Sequence, residues 1–137
     1  VARDVLLRKL LYVRQLLIDL EPFRTATQTE VEEEHYKIER LFELLVMVAS
    51  DIIVHLLREQ NVVPTSYRDG FRLAGEHKLL PVDLAERLQE AASMRNLIVH
   101  LYEQIDYAIL QRSIEPHLDD FGQFVAHIET YLDDHID

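Results

Sequence analysis

The stretch from Ile38 to Leu56, IERLFELLVMVASDIIVHL, decides the fold class. Its apolar residues Ile38, Leu41, Phe42, Leu45, Val48, Ile52, Ile53 and Leu56 recur at helical spacing, not in the alternation of a strand. Working outward, Leu6, Leu10, Val13, Leu17 and Leu20 form a second stripe, and Pro22 marks its end. A polar stretch, Arg24 to Gln28, follows. Thr29 and Glu32 have the spacing of a capping box, which predicts that the long second helix starts there and runs to about Arg58. Residues 60–66, QNVVPTS, read as a loop. Ser66 or Thr65 is the expected cap of a short helix through Phe71, Leu73 and Ala74 to about His77. Pro81 opens a fourth helix, with Asp83 as an alternative cap, and this helix carries Leu84, Leu88, Ala91 and Ala92. Asp106 is the expected cap of a last helix reaching Leu132, which Pro116 should kink or split. The sum is an all-α protein: one domain over residues 1–137, an antiparallel bundle of four to five helices.

The composition agrees. Among 137 residues there are 3 glycines and 4 prolines, too few breakers for a turn-rich β fold. The absence of cysteine excludes disulfides and thiolate metal sites and is compatible with a reducing cytoplasm. No apolar run approaches the ~18–20 residues of a membrane span. Val1-Ala2-Arg3-Asp4 lacks the layout of a signal peptide. The net charge of −11 counts against an extended nucleic-acid surface and against DNA as a ligand, because neutralising phosphates takes Lys and Arg. A small RNA site built from a few basic groups remains compatible with it.

The chemistry concentrates in Met94-Arg95-Asn96-Leu97-Ile98-Val99-His100-Leu101-Tyr102. With Arg95 at zero and 100° per residue, Met94, Leu97, Ile98, Leu101 and Ile105 fall in one arc, between about 200° and 300°. Arg95, Asn96, His100 and Tyr102 fall in the opposite arc, provided the helix persists through Tyr102. One face is then core, and the other carries a fixed cation, an amide, an imidazole and a phenol. An Arg and a His five residues apart recur by chance in helical proteins, and a solvated face is the plain alternative. Glu103 lies in the same arc, a candidate to orient Arg95 or His100, although a surface acid is the simpler reading. Asp51 and His55, at i and i+4, face one way and are candidates to support the motif. No third ligand accompanies them, so no metal site is expected. His35, His77, His117, His127 and His135 follow no ligand pattern and read as surface residues.

Taken in order, these segments resemble the HEPN superfamily in its HepT-like branch, over about residues 36–132. The branch signature is R-x4-H-x-Y with Asn after the Arg, matched by Arg95, Asn96, His100 and Tyr102. The loop Pro64-Thr65-Ser66-Tyr67-Arg68-Asp69-Gly70-Phe71, the turn Ile105-Asp106, and Glu39-Arg40 with the segment from Ser50 to Leu56 are similar too. Departures are Leu101, where the family often has an acid, and His77-Lys78, where it often has a glycine. Residues 21–34 match poorly.

The resemblance implies a HEPN-like bundle with the motif on the fourth helix, and a cytoplasmic, metal-independent endoribonuclease toxin that needs no cofactor. Arg95, Asn96 and His100 would be catalytic. Histidine titrates near neutrality and can serve as base or acid. Arginine stays charged and offers a planar fork to phosphate oxygens. One histidine does not easily serve as base and acid in one step, and the homodimer that the resemblance implies would bring two copies into one cleft. The resemblance also implies a partner, a minimal nucleotidyltransferase antitoxin that transfers AMP to Tyr102. A second reading is a non-catalytic helical partner of such an enzyme, which the acidic charge favours.

Overall fold

The computed structural model describes residues 2–100 and 104–135. It contains helices α1 (Ala2–Leu20), α2 (Gln28–Glu33), α3 (His35–Arg58), α4 (Tyr67–Glu76), α5 (Val82–His100) and α6 (Tyr107–His135), with one 3-10 turn, Glu21–Phe23, after α1. No strand occurs among the described residues, and none of their helices is long and apolar enough to cross a membrane.

Helix α3 is the central element. It packs on α1, α4, α5 and α6. Its stripe is buried almost completely, with Ile38, Phe42, Leu45, Ile52, Ile53 and Leu56 at 0% exposure. Each such side chain contributes about 1.5–3 kcal/mol by leaving water. Helix α1 closes one flank, where Leu6, Leu10, Val13, Leu16 and Leu20 are buried. Arg3 ties its start to α6, donating to the Leu132 carbonyl at 3.0 Å and to Asp133 at 3.1 Å.

The second expected helix is two helices. The capping box forms two residues upstream of the expected one. Thr27 Oγ1 accepts from the Glu30 N–H at 3.2 Å, and Glu30 Oε1 accepts from the Thr27 N–H at 3.1 Å. Helix α2 stops at Glu33, and Glu34 turns the chain at φ −110°, ψ 20°. Three consecutive glutamates at a helix C-terminus oppose its dipole and one another, which disfavours continuation. Buried Val31 anchors the short helix to the core.

The other ends follow the sequence signals. Ser66 caps α4 through the Asp69 N–H at 3.0 Å, and Asp106 Oδ1 accepts from the Ala108 N–H at 2.8 Å to open α6. Helices α3 and α4 finish alike. Asn61 and Lys78 sit in the left-handed region at φ 60° and 61°. The next N–H groups, of Val62 and Leu79, return to the Leu57 and Ala74 carbonyls at 3.0 and 2.9 Å. Lys78 thus holds the conformation that glycine adopts most readily.

Three expectations are corrected. Pro116 does not split α6, which runs unbroken from Tyr107 to His135 with the proline on its exposed side. His117 is a core residue, not a surface one: it is 5% exposed and stacked on Phe42 with ring centres 3.8 Å apart. It sits one residue before Leu118 on the inward stripe of α6, between Ile114 and Phe121. Its Nδ1–H donates to the Ser113 carbonyl at 2.8 Å, and burial pushes its pKa down to about 4. Leu97 is 54% exposed, although the helical wheel put it in the core arc. It borders an apolar groove with Met94, Ile98, Ile105 and Ile109 at the junction of α5 and α6. Ile105 packs against the core from outside any helix, so its place on the wheel does not apply.

Candidate functional site

Helix α5 carries Arg95, Asn96 and His100, and its two ends meet different neighbours. Near its start it lies tight on α4, where a Cβ on Gly75 would come within 2.9 Å of the Ala85 Cβ. One turn further, Arg68 of α4 donates to the Gln89 carbonyl at 3.1 Å and to Ser93 Oγ at 2.7 Å. Arg87 fixes the opposite side, donating to Asp120 at 2.8 Å and Gln123 at 3.0 Å on α6. These clamps set the rotation of α5 just before Arg95.

Arg95 is half-buried, and its guanidinium carbon stands 4.8 Å from the centre of the Tyr67 ring. Its Nε is buried with no hydrogen-bond partner among the described residues. Stacking on an aromatic face holds a guanidinium in one place while leaving its N–H groups unspent. Tyr67 is itself well located. It is the first residue of α4, next to the Ser66 cap, and Asp69 binds the preceding loop. The Asp69 carboxylate accepts from the Thr65 N–H at 2.9 Å and hydroxyl at 3.2 Å, and from Arg72 at 2.6 Å. The backbone bond from Thr65 and then Arg72 hold its pKa below the usual carboxylate range.

Asn96 is exposed and lines a cleft of about 340 Å³ together with Ser50, Asp51, Val54, Pro64 and Tyr67. The cleft joins α3, the loop before α4, and α5. Asp51 thus shares a surface with Asn96, and Lys9 Nζ lies 3.6 Å from its carboxylate. His55, one turn further along α3, is half-buried and is not part of the cleft wall. Of the two, only Asp51 lines this cleft, and no group of three or more metal-binding side chains occurs among the described residues. His100 is exposed in the last turn of α5. It lies about 7.5 Å along the helix axis from Arg95 and about 140° around it. Tyr102 and Glu103 lie outside the described residues.

The sequence reading missed Tyr67 and Ser50 as parts of this site. Both stand in segments that carried the family resemblance, but nothing in their spacing connects them to Arg95 or Asn96. Chemically, the surface offers a fixed cation backed by an aromatic ring, an exposed amide beside it, and an accessible imidazole on the same helix.

Comparison with known proteins places these features in context. A family model described as "Ribonuclease HepT-like" matches residues 8–128. The mRNA nuclease HepT of Shewanella oneidensis is 34% identical over 81 residues, which are 58% of this chain and 61% of that protein. The chain thus spans under two thirds of that relative's length. The tRNA nuclease HepT of Aphanizomenon flos-aquae is 29% identical over 102 residues, 73% of this chain and 69% of that protein. Among solved structures, a tri-AMPylated Shewanella oneidensis HEPN toxin in complex with MNT antitoxin superposes with a TM-score of 0.83 at 22% identity, covering 93% of this chain and 98% of that one. The Bacillus subtilis protein YutE, described as cytosolic and of unknown function, gives 0.83 at 21% identity over 98% of this chain and 92% of its own. At such identities the likeness is one of fold.

Proposed function

The chain belongs to the HepT-like ribonuclease family, and from that premise we propose that it is a metal-independent endoribonuclease toxin acting in the cytoplasm. The observation that carries the reading is the Arg95 guanidinium held on Tyr67, on the helix that also presents Asn96 and His100. In this reaction the 2′-oxygen of one ribose attacks the adjoining phosphorus, and the bond from phosphorus to the 5′-oxygen breaks. The products are a 2′,3′-cyclic phosphate and a 5′-hydroxyl. A base takes the 2′-hydroxyl proton and an acid supplies one to the leaving oxygen. His100 serves as the base or the acid. Arg95 stabilises the charge that builds on the phosphate, and Asn96 holds a phosphate oxygen or the imidazole by hydrogen bonds.

Arg95 and His100 project in directions about 140° apart, so one copy does not close around a phosphate by itself. A homodimer that faces two α5 helices across a groove supplies a second His100 and a second Arg95. It also gathers the few cations of an acidic chain at one place. The proposed antitoxin is a minimal nucleotidyltransferase that transfers AMP to Tyr102. The added phosphate and bulk would compete with RNA for Arg95. Tyr102→Phe is expected to keep cleavage and to escape silencing; silencing of that variant through nucleotide transfer would overturn the assignment.

The direct test is cleavage of tRNA and total RNA by unmodified protein in EDTA. His100→Ala is expected to lose about 10²–10⁴-fold and Arg95→Ala about 10²–10³-fold. Folded, unmodified parent that cleaves neither RNA would favour the non-catalytic partner of a nucleotidyltransferase.

A further inference from the structure

The cleft beside Arg95 has no assigned occupant, and its walls have a distinctive chemistry. Ser50 is 2% exposed, lines the cleft, and its hydroxyl makes no hydrogen bond among the described residues. A serine in a helix ordinarily returns its hydroxyl to the carbonyl four residues back, as Ser113 does to Ile109 at 2.7 Å. The hydroxyl is left with its donor and acceptor free for a ligand in the cleft. Around it stand the Asn96 amide and the Asp51 carboxylate, the latter with only Lys9 nearby at 3.6 Å. Val54 and Pro64 supply apolar wall, and Tyr67 contributes an aromatic one. No residue lining the cleft is cationic, and one is anionic, so a phosphate does not belong there.

A flat, apolar-faced ligand with hydrogen-bonding edges does belong there. We propose that this cleft is a nucleobase subsite. It would take a base of the RNA strand next to the phosphate held by Arg95, and so rests on the ribonuclease reading above. The Asp51 carboxylate accepts only, and its two oxygens match the adjacent N1–H and exocyclic amine of guanine, so it selects guanine over uracil, which offers a single N3–H. Ser50 and Asn96 supply the complementary donors and acceptors. Tyr67 then serves two neighbours, Arg95 and the cleft, which couples the position of the base to that of the phosphate.

The test uses four dinucleotides whose upstream ribose lacks the 2′-hydroxyl, so that none is cleaved, differing only in the base. Binding is read from amide shifts in the spectrum of the isotopically labelled protein. Guanine is expected to move Ser50, Asp51 and Asn96 most, with uracil weaker. Ser50→Ala, with an unchanged melting temperature, should weaken binding about 3–10-fold. Asp51→Asn should abolish the preference for guanine over uracil, because an amide keeps one acceptor where the carboxylate has two. Shifts that map elsewhere, or affinities that ignore both substitutions, would overturn the subsite. A parallel arm maps cleavage of an RNA with one randomised position. Protein that cleaves with no base preference and binds nothing in the cleft sinks the subsite alone. Protein that binds these dinucleotides in the cleft and cleaves no RNA keeps the subsite and sinks the nuclease reading.

Discussion

The guanidinium carbon of Arg95 and the ring of Tyr67 lie 4.8 Å apart, although 28 residues separate them in sequence. The contact exists because the Ser66 cap starts α4 at Tyr67 and because Arg68 bolts that turn to Gln89 and Ser93 of α5. In the proposed reaction Tyr67 would act on the phosphate through Arg95, which would make it a positioning residue. A cation–π contact of this kind is worth about 0.5–2 kcal/mol. Tyr67→Leu is expected to lower kcat for RNA cleavage by about 3–30-fold, and Tyr67→Phe, which keeps the ring face, to restore most of it. The Arg95 Nε–H resonance offers a readout independent of turnover. It should move when the ring is removed and hold in the Phe variant. Equal loss in both variants would assign the effect to the hydroxyl instead.

His117 makes the fold sensitive to acid. In the folded protein its pKa is about 4, lowered from 6.5 by burial. Above pH 6.5 both the folded and unfolded states hold the ring neutral, and the full stability is present. As pH falls from 6.5 towards 4 the unfolded state takes up a proton that the folded state refuses, and stability is lost. The loss approaches about 3 kcal/mol at the lower end. His117→Phe keeps a ring against Phe42 and removes the titration. Chemical denaturation at pH 7.5 and 5 should show a smaller drop for this variant than for the parent. Identical drops would mean that other groups carry the acid sensitivity.

Lys78 stores backbone strain at the end of α4, at φ 61°. A side chain in the left-handed region costs about 1–2 kcal/mol, partly offset in glycine by its greater freedom when unfolded. Lys78→Gly is therefore expected to raise stability by about 0.5–1 kcal/mol, seen as a shift of the urea midpoint without a change of slope. A lowered midpoint would show that the Lys78 side chain contributes more than its backbone costs.

Gly75 lies tight against Ala85 where α4 packs on α5. A methyl group there would stand 2.9 Å from the Ala85 Cβ, inside normal contact distance. Gly75→Ala is expected to cost about 1–3 kcal/mol despite the higher helix propensity of alanine. Because α4 carries Tyr67, the same variant should also lower the cleavage rate by shifting the ring under Arg95. Unchanged thermal stability would mean that the two helices part without cost.

How far the site could be read from sequence depends on the type of contact. That Arg95, Asn96 and His100 share one helix was legible because spacing converts directly into direction there, whereas it was the family resemblance that singled them out as candidates. The central helix, the short helix and its cap, and the start of α6 were legible for the same local reasons. The break at Glu34 was not, because a run of glutamates at that point reads equally well as a solvated turn of helix. The burial of His117 was obscured by residue type: its spacing fits the inward stripe, but histidine is common at surfaces.

The chain by itself therefore determined the all-helical class, the main boundaries and which polar residues share a helix, since helix formation is governed by neighbours three and four positions apart. Only the tertiary structure decided which of those residues work together. It set Tyr67 under Arg95, brought Asp51 and Ser50 to Asn96 across three elements, and left His55 apart from Asp51's cleft. Such groupings depend on the rotation and separation of packed helices. These are fixed by the close fit at Gly75 and Ala85 and by the Arg68 and Arg87 clamps, contacts between positions that no local period connects.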